Sequence, residues 1–245
     1  MSAIGRGKRF SIPAKDLLTH IPLWECHIHT RYADGTSTIR QVVDWAIEFG
    51  LTRIIFTEHT EPWHISSEDW FSKYVADILL ARKEYGDQIE ILIGIEAPAT
   101  DFEHGLGITP EMMKIVDFIL GTAHRYPHLK GRSVRDLKRD EIIDYEYRTL
   151  MALAANPHID AIAHIGGTCK KYCCPFPEEL TRQVVRTASI HGIAIEINLQ
   201  YHTPLYSFVN LCIEEDAIVT LGSDAHRVEE VGSVVTALRK ISLRN

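Results

Sequence analysis

The sequence has no apolar window long enough to cross a bilayer, and its opening stretch, "MSAIGRGKRFSIPAKDLL", carries basic residues without the apolar centre of a secretory signal. It has no long run of one charge: 26 Lys and Arg against 33 Asp and Glu give a formal charge of −7. No basic stripe is present, which argues against a surface for long nucleic acid, though not against a nucleotide as substrate. Cysteine is sparse and odd in number, with Cys26, Cys169, Cys173, Cys174 and Cys212 only. Such a set makes no disulfide framework, and the expectation is a reduced, cytoplasmic protein. Linkers, low-complexity stretches and repeats are lacking. What the chain does have is 45% hydrophobic residues, enough for a sizeable core, and 13 histidines, many beside Asp or Glu at the ends of apolar runs.

Seven short apolar runs, at 23–29, 53–59, 89–96, 117–124, 159–165, 193–198 and 217–226, alternate with amphipathic segments. Most runs are rich in Ile, Val, Leu and Ala with little polar alternation, the pattern of strands buried on both faces of a parallel sheet. Helical spacing is carried by 38–50, 67–86, 137–156, 176–192, 204–216 and roughly 228–241, with Gly50 and Gly86 as C-terminal stops. Segment 110–116 is short. Seven strand-then-helix units predict an α/β fold: a distorted (βα)7 TIM-like barrel, one domain over 1–245, with its core at about 22–241 and 1–21 as an N-terminal extension. A doubly wound open sheet is the alternative.

Parallel α/β folds place their sites at the C-terminal ends of strands. The first run ends in "ECHIHTRYADGT", with His27 and His29 two apart, hence on one face of a strand, and Asp34 five residues later. Later ends deliver His59 from "TEH", Glu96 from "GIE", His124 from "GTAH", His164 from "AHIGG", and Asp224 and His226 from "GSDAH". The sixth, "EINLQYH", lacks an obvious ligand, though Glu196, Asn198 and His202 are near. Each motif alone is weak, since a single strand-end histidine is more often structural; their agreement on one rim is the strong signal. Six imidazoles and three carboxylates exceed the roughly four to six ligands of one ion, so the set suits two or three divalent ions with Glu96 as candidate bridge. Without thiolate, it fits Zn²⁺, Mn²⁺ and Fe²⁺ alike.

In combination these motifs resemble the PHP (polymerase and histidinol phosphatase) family, from Glu25 to about Gly232. The resemblance implies a distorted (βα)7 barrel with a trinuclear metal centre that hydrolyses phosphate esters. Position by position, it implies that His27, His29 and Asp224 hold the first metal. Glu96 would bridge it to a second held by His124 and His164, and Asp34, His59 and His226 would hold the third. No ligand position of the family is missing, which disfavours an inactive copy. "GTAHRYPH" and "AHIGGTCKKY" are most similar to the small histidinol-phosphatase-like members that stand alone, with no polymerase attached. Two close ions lower the pKa of bound water and steady the entering and leaving oxygens of an in-line displacement. The expectation is therefore hydrolysis of a small phosphomonoester by a metal-bound hydroxide, with Asp224 also taking up a proton.

Around the ligands, Arg125 is a candidate phosphate clamp. Lys170 and Lys171 are candidates of which at most one points inward, because adjacent side chains diverge, and Arg227 is a further one. His202 is a candidate general acid to the leaving group. The bland reading of each is a solvated loop residue. "CKKYCC" has no C-x₂-C partner for a structural zinc and reads as a mobile rim loop. Glu58, alternating with His59, is expected to support rather than bind, and Cys26 to pack in a wall. Trp63, Trp70 and Phe71 are left as core or pocket residues, and of the histidines outside the ligand motifs His64 and His128, in strand-end loops, stand out as the exceptions to an ordinary surface reading. Histidinol phosphate would need a carboxylate for its ammonium and imidazole, and Glu61, Asp101 and Glu103 are available. Two rivals remain: a phosphodiesterase or nuclease acting on nucleotides or short oligonucleotides, and a metal-binding module without turnover. The expected partner is a small phosphorylated substrate, not long nucleic acid or a membrane.

Overall fold

The computed structural model describes residues 10–65, 67–129 and 131–242. One short strand, β1 (Ile12–Pro13), precedes seven others: β2 (Trp24–Ile28), β3 (Arg53–His59), β4 (Glu90–Pro98), β5 (Phe118–Thr122), β6 (Ala161–Ile162), β7 (Ala194–Ile197) and β8 (Ile218–Leu221). These seven are the predicted apolar runs. They pair in sequence order, β2 through β8, all parallel. A doubly wound sheet reverses its strand order midway; this one does not, so the distorted barrel stands and the open-sheet alternative falls.

The sheet curls until Ile28 bridges Ala225, just beyond β8. There the His29 N–H donates to Ala225 O (2.8 Å) and the Ala225 N–H to His27 O (3.1 Å). Lower down the same edge, β8 is paired antiparallel by β1. Glu25 fastens this seam: its carboxylate accepts from the N–H groups of Ser223 (2.8 Å) and Gly232 (3.0 Å).

Two apolar layers hold the barrel. Inside it, Ile55, Leu92, Phe118 and Leu120 meet the small Ala161 and Ala194, and the Phe10 ring stands edge-on to Phe118 at 5.6 Å. Phe10, Ala14 and Leu17 are all buried, Phe10 in the barrel interior and Ala14 and Leu17 in the outer apolar layer. A register shift between Glu25 and Ile28 breaks the strand alternation. Cys26 therefore joins the barrel interior, while His27 and His29 both reach the rim.

Outside lie α1 (Ile39–Phe49), α2 (Trp70–Tyr85), α3 (Pro110–Ile115), α4 (Arg139–Ala154), α5 (Gly167–Tyr172), α6 (Glu178–His191), α7 (Leu205–Glu214) and α8 (Ser233–Ser242). Val42, Val43, Ile78 and Val184 on these helices belong to the same apolar layer as the outward-facing Ile54, Phe56 and Ile93. Helix α1 starts on a Thr38–Gln41 capping box and stops at Gly50, whose φ of 87° is the left-handed conformation that glycine adopts at least cost. The helix unforeseen in the sequence is α5: "CKKYCC" forms a short helix and its closing turn, not a free loop. Among the described residues, no helix is long and apolar enough to cross a membrane.

Candidate metal centre

The register of β3 on β4 runs from Arg53↔Glu90 to His59↔Glu96, which sets His59 level with Glu96 at the upper rim. Glu96 is fully buried and central. Its Oε1 lies 3.0 Å from His164 Nε2 and 3.2 Å from His124 Nε2. Its Oε2 lies 3.0 Å from His59 Nδ1, 3.5 Å from His27 Nε2 and 3.6 Å from His29 Nε2. Asp224, held at a left-handed φ of 56° just past β8, brings Oδ1 to 3.2 Å from His29 Nε2 and 3.4 Å from His27 Nε2. Asp34 Oδ1 is 3.3 Å from His226 Nε2 and 3.5 Å from His59 Nε2. All nine predicted ligands thus converge, and their donor atoms fall into overlapping groups of three or four.

Three further side chains were not singled out as ligands or supports. Glu196 on β7, the strand without an obvious ligand, sets its Oε1 2.5 Å from His27 Nδ1 and its Oε2 accepts the His164 N–H (2.6 Å). Glu61 lies 3.1 Å from His124 Nδ1 and 3.6 Å from His59 Nδ1. His64 Nδ1 is 3.1 Å from Asp34 Oδ2. The clues were thin: Glu61 and His64 share the "TEHTEPWH" loop, and Glu196 is one carboxylate within an apolar strand. Glu58 behaves as expected of a support, accepting the N–H (2.9 Å) and hydroxyl (2.5 Å) of Thr30 and so fixing the chain just after His29.

Whether this donor set suits cations can be tested on its own electrostatics. No Lys or Arg forms an ion pair with Asp34, Glu61, Glu96, Glu196 or Asp224 among the described residues. Glu96 Oε2 and Glu61 Oε2 are buried and accept no hydrogen bond. His27 Nε2 faces His29 Nε2 at 3.0 Å, two nitrogens that cannot both present lone pairs without a positive charge between them. The polypeptide alone answers by storing protons. Burial opposes charge on His27, yet Glu196, Asp224 and Glu96 raise it well above an ordinary imidazole. Burial also opposes charge on His59 and His124, and Glu96 is the strongest pull the other way, raising them to about 11 and about 9. His29 is driven down to about 3 by burial and the neighbouring His59. A buried cluster that demands this much positive charge, offering imidazole and carboxylate at mutual spacings near 3 Å, fits divalent ions bonded at about 2.0–2.2 Å.

The centre opens into a cavity of about 240 Å³, lined in addition by Trp63, Arg125, Lys171, Tyr172 and Tyr201. That size suits a small molecule. Arg125 reaches it with its guanidinium over the Trp63 ring at 3.4 Å, and no carboxylate pairs with it among the described residues. Three candidates from the sequence do not line this cavity. Lys170 bonds the carbonyls of Gln200 (2.6 Å) and Tyr201 (3.3 Å) and faces a separate groove. Arg227 is two-thirds exposed and clamped to Glu230 (2.7 Å). His202 stacks on Phe208 at 3.6 Å, lines that second groove instead of the cavity, and is pushed down to about 3 by burial.

The family model described as "PHP domain" matches residues 25–200. The chain belongs to the PHP domain family. Asp224 and His226 lie beyond the matched segment, and it is the fold that carries them to the centre of this PHP protein. A Deinococcus radiodurans protein named "Probable histidinol-phosphatase" is 24% identical over 243 residues, covering 86% of this chain and 88% of that one. A Caldicellulosiruptor bescii "Probable phosphatase" is 28% identical, covering 85% and 81%. Among solved structures, the Lactococcus lactis histidinol phosphate phosphatase, complexed with zinc, L-histidinol and phosphate, shares the fold at a TM-score of 0.66 and 19% identity, over 89% of this chain and 93% of that one. This PHP protein is a hydrolase, a metal-dependent phosphoesterase.

Proposed function

We propose that the protein hydrolyses a small phosphomonoester of the histidinol phosphate type at a centre of three divalent ions. Glu96 carries the reading, because its two oxygens divide the imidazoles: His124 and His164 on one side, His27, His29 and His59 on the other. His27, His29 and Asp224 would hold one ion, His124 and His164 a second shared through Glu96, and Asp34, His59 and His226 a third. Glu196 and Glu61 occupy Nδ1 of His27 and of His124, which leaves each Nε2 turned toward Glu96.

When bound, such ions lower the pKa of water and offset the charge of a phosphoryl group in transit. The chain supplies the rest. Arg125 and Lys171 stand at the cavity wall where a phosphate oxygen needs donors. Asp224 would take the proton from the attacking water, a role supported by its buried position beside His27 and His29. Glu61 gives the cavity a carboxylate for a substrate ammonium or imidazole, and the Lactococcus complex with L-histidinol and zinc supports that substrate class and that metal.

The test is phosphate release from a panel of phosphomonoesters, nucleotides and histidinol phosphate, with protein reconstituted in Zn²⁺ or Mn²⁺. One monoester should be hydrolysed far above the rest, and His29→Ala should lower that rate by at least about 100-fold. Hydrolysis of phosphodiesters but of no monoester would overturn the proposal.

A further inference from the structure

Three thiols at the rim take no part in the centre described above. The Sγ atoms of Cys169, Cys173 and Cys174 form a triangle with sides of 3.6, 3.8 and 3.2 Å, and none is in a disulfide. Local backbone geometry gathers them. At the end of α5 the N–H groups of Cys173 and Cys174 both turn back onto Cys169 O, at 2.9 and 3.0 Å. Pro175 follows and cannot continue the helix. Cys169 is buried on an apolar bed of Tyr126, Val134, Leu137 and Ile142, whereas Cys173 is exposed. Burial opposes the thiolate of Cys174, but hydrogen bonds from Cys173 and from Arg139 outweigh it and lower that pKa. Burial pushes the Cys169 thiol the other way.

We propose that Cys169, Cys173 and Cys174 form a three-thiolate site for one thiophilic cation of the Zn²⁺, Cd²⁺ or Cu⁺ class, separate from the imidazole–carboxylate centre. An ion at about 2.3 Å from every sulfur fits this triangle when it sits roughly 1 Å out of the sulfur plane. Three sulfurs leave one tetrahedral position open, so the ion is exchangeable, unlike a closed structural zinc. The soft sulfur set also sorts its ion from those of the nitrogen and oxygen centre, since ligand softness steers such choices.

The site is wired to the cavity wall. The Gly167 N–H donates to His164 O (2.8 Å), and the Thr168 hydroxyl donates to Ala123 O (2.8 Å), beside His124. Lys171 and Tyr172, between the first and second thiols, line the cavity. A cation on the three thiolates pins the turn that closes α5, and with it this stretch of wall.

The experiment is a Cd²⁺ titration of the reduced full-length protein, first loaded with Mn²⁺, followed by sulfur-to-cadmium charge-transfer absorbance in the ultraviolet. The expected band saturates at one Cd²⁺ per chain, persists in His29→Ala, and weakens in affinity by about 10–100-fold in Cys173→Ser and in Cys174→Ser. Cys173 is exposed, so its substitution leaves the fold intact, as circular dichroism would verify. No such band in the wild type, or a band undiminished in the Cys173→Ser/Cys174→Ser double variant, overturns the proposal.

Discussion

At the scale of the residue, what a side chain does here depends on whether its partner is local or distant. Glu196 touches no substrate-facing surface, yet its Oε1 holds His27 Nδ1 at 2.5 Å across 169 residues of sequence. Glu196→Gln keeps the shape and loses the charge. It is expected to lower metal affinity or activity by about 10–100-fold with the melting temperature little changed, and unchanged metal content would show that His27 needs no such support. Glu146 on α4 offers a pH test at a group outside the ligand set. Burial pushes its carboxyl up to about 7, against the hydrogen bond donated by the Tyr126 hydroxyl (2.6 Å). Unfolded, the group titrates near 4.5, so between these values the native state binds more protons and stability falls as pH rises. Glu146→Gln should therefore gain melting temperature relative to the wild type from about pH 5 to pH 8; a constant difference across that range would contradict the assignment. The rim histidines were legible because each follows the end of an apolar run, and a tripeptide spells both facts. Glu196 was not legible as the support of His27, nor was the true setting of Lys170, Arg227 or His202. Local sequence puts those three at the rim, and only tertiary partners reveal that they are tied elsewhere.

At the scale of the element, strands and long helices were readable within a few residues, because their apolar periodicity is contiguous. Two short pieces escaped. β1 has two residues, and α5 has six and opens on Gly167, with no repeating apolar stripe. Each is held by packing rather than by its own propensity. For β1 the anchor is Phe10, only 2% exposed, with its ring against Phe118 inside the barrel. Phe10→Ala is expected to cost about 3–5 kcal/mol in a denaturant titration, the range for a large ring removed from a core. A loss below about 1 kcal/mol would mean that the segment only lies on the barrel.

At the scale of the whole molecule, the count of seven parallel strands was legible, whereas the way the sheet meets itself was not, since no local signal records which strands will be edge neighbours. The centre sits at that meeting. Its carboxylates have no Lys or Arg partners among the described residues, so bound ions should stabilise the entire fold by mass action. Chelation is expected to lower the melting temperature and re-addition to restore it, with about 4 kcal/mol at stake when free metal exceeds its dissociation constant 1,000-fold. Coincident curves with and without chelator would remove the ions from the stability of the fold. The seam between β2 and β8 also has a kinetic side. Glu25 and Ser223, which fasten it, are 198 residues apart in sequence, and closing a loop this long carries an entropic cost that near neighbours avoid. Asp224 and His226 reach His27 and His29 only when that closure is complete. A chain stalled with its last strand undocked would lack two of its nine candidate ligands, Asp224 and His226, so metal retention would report that the barrel has closed.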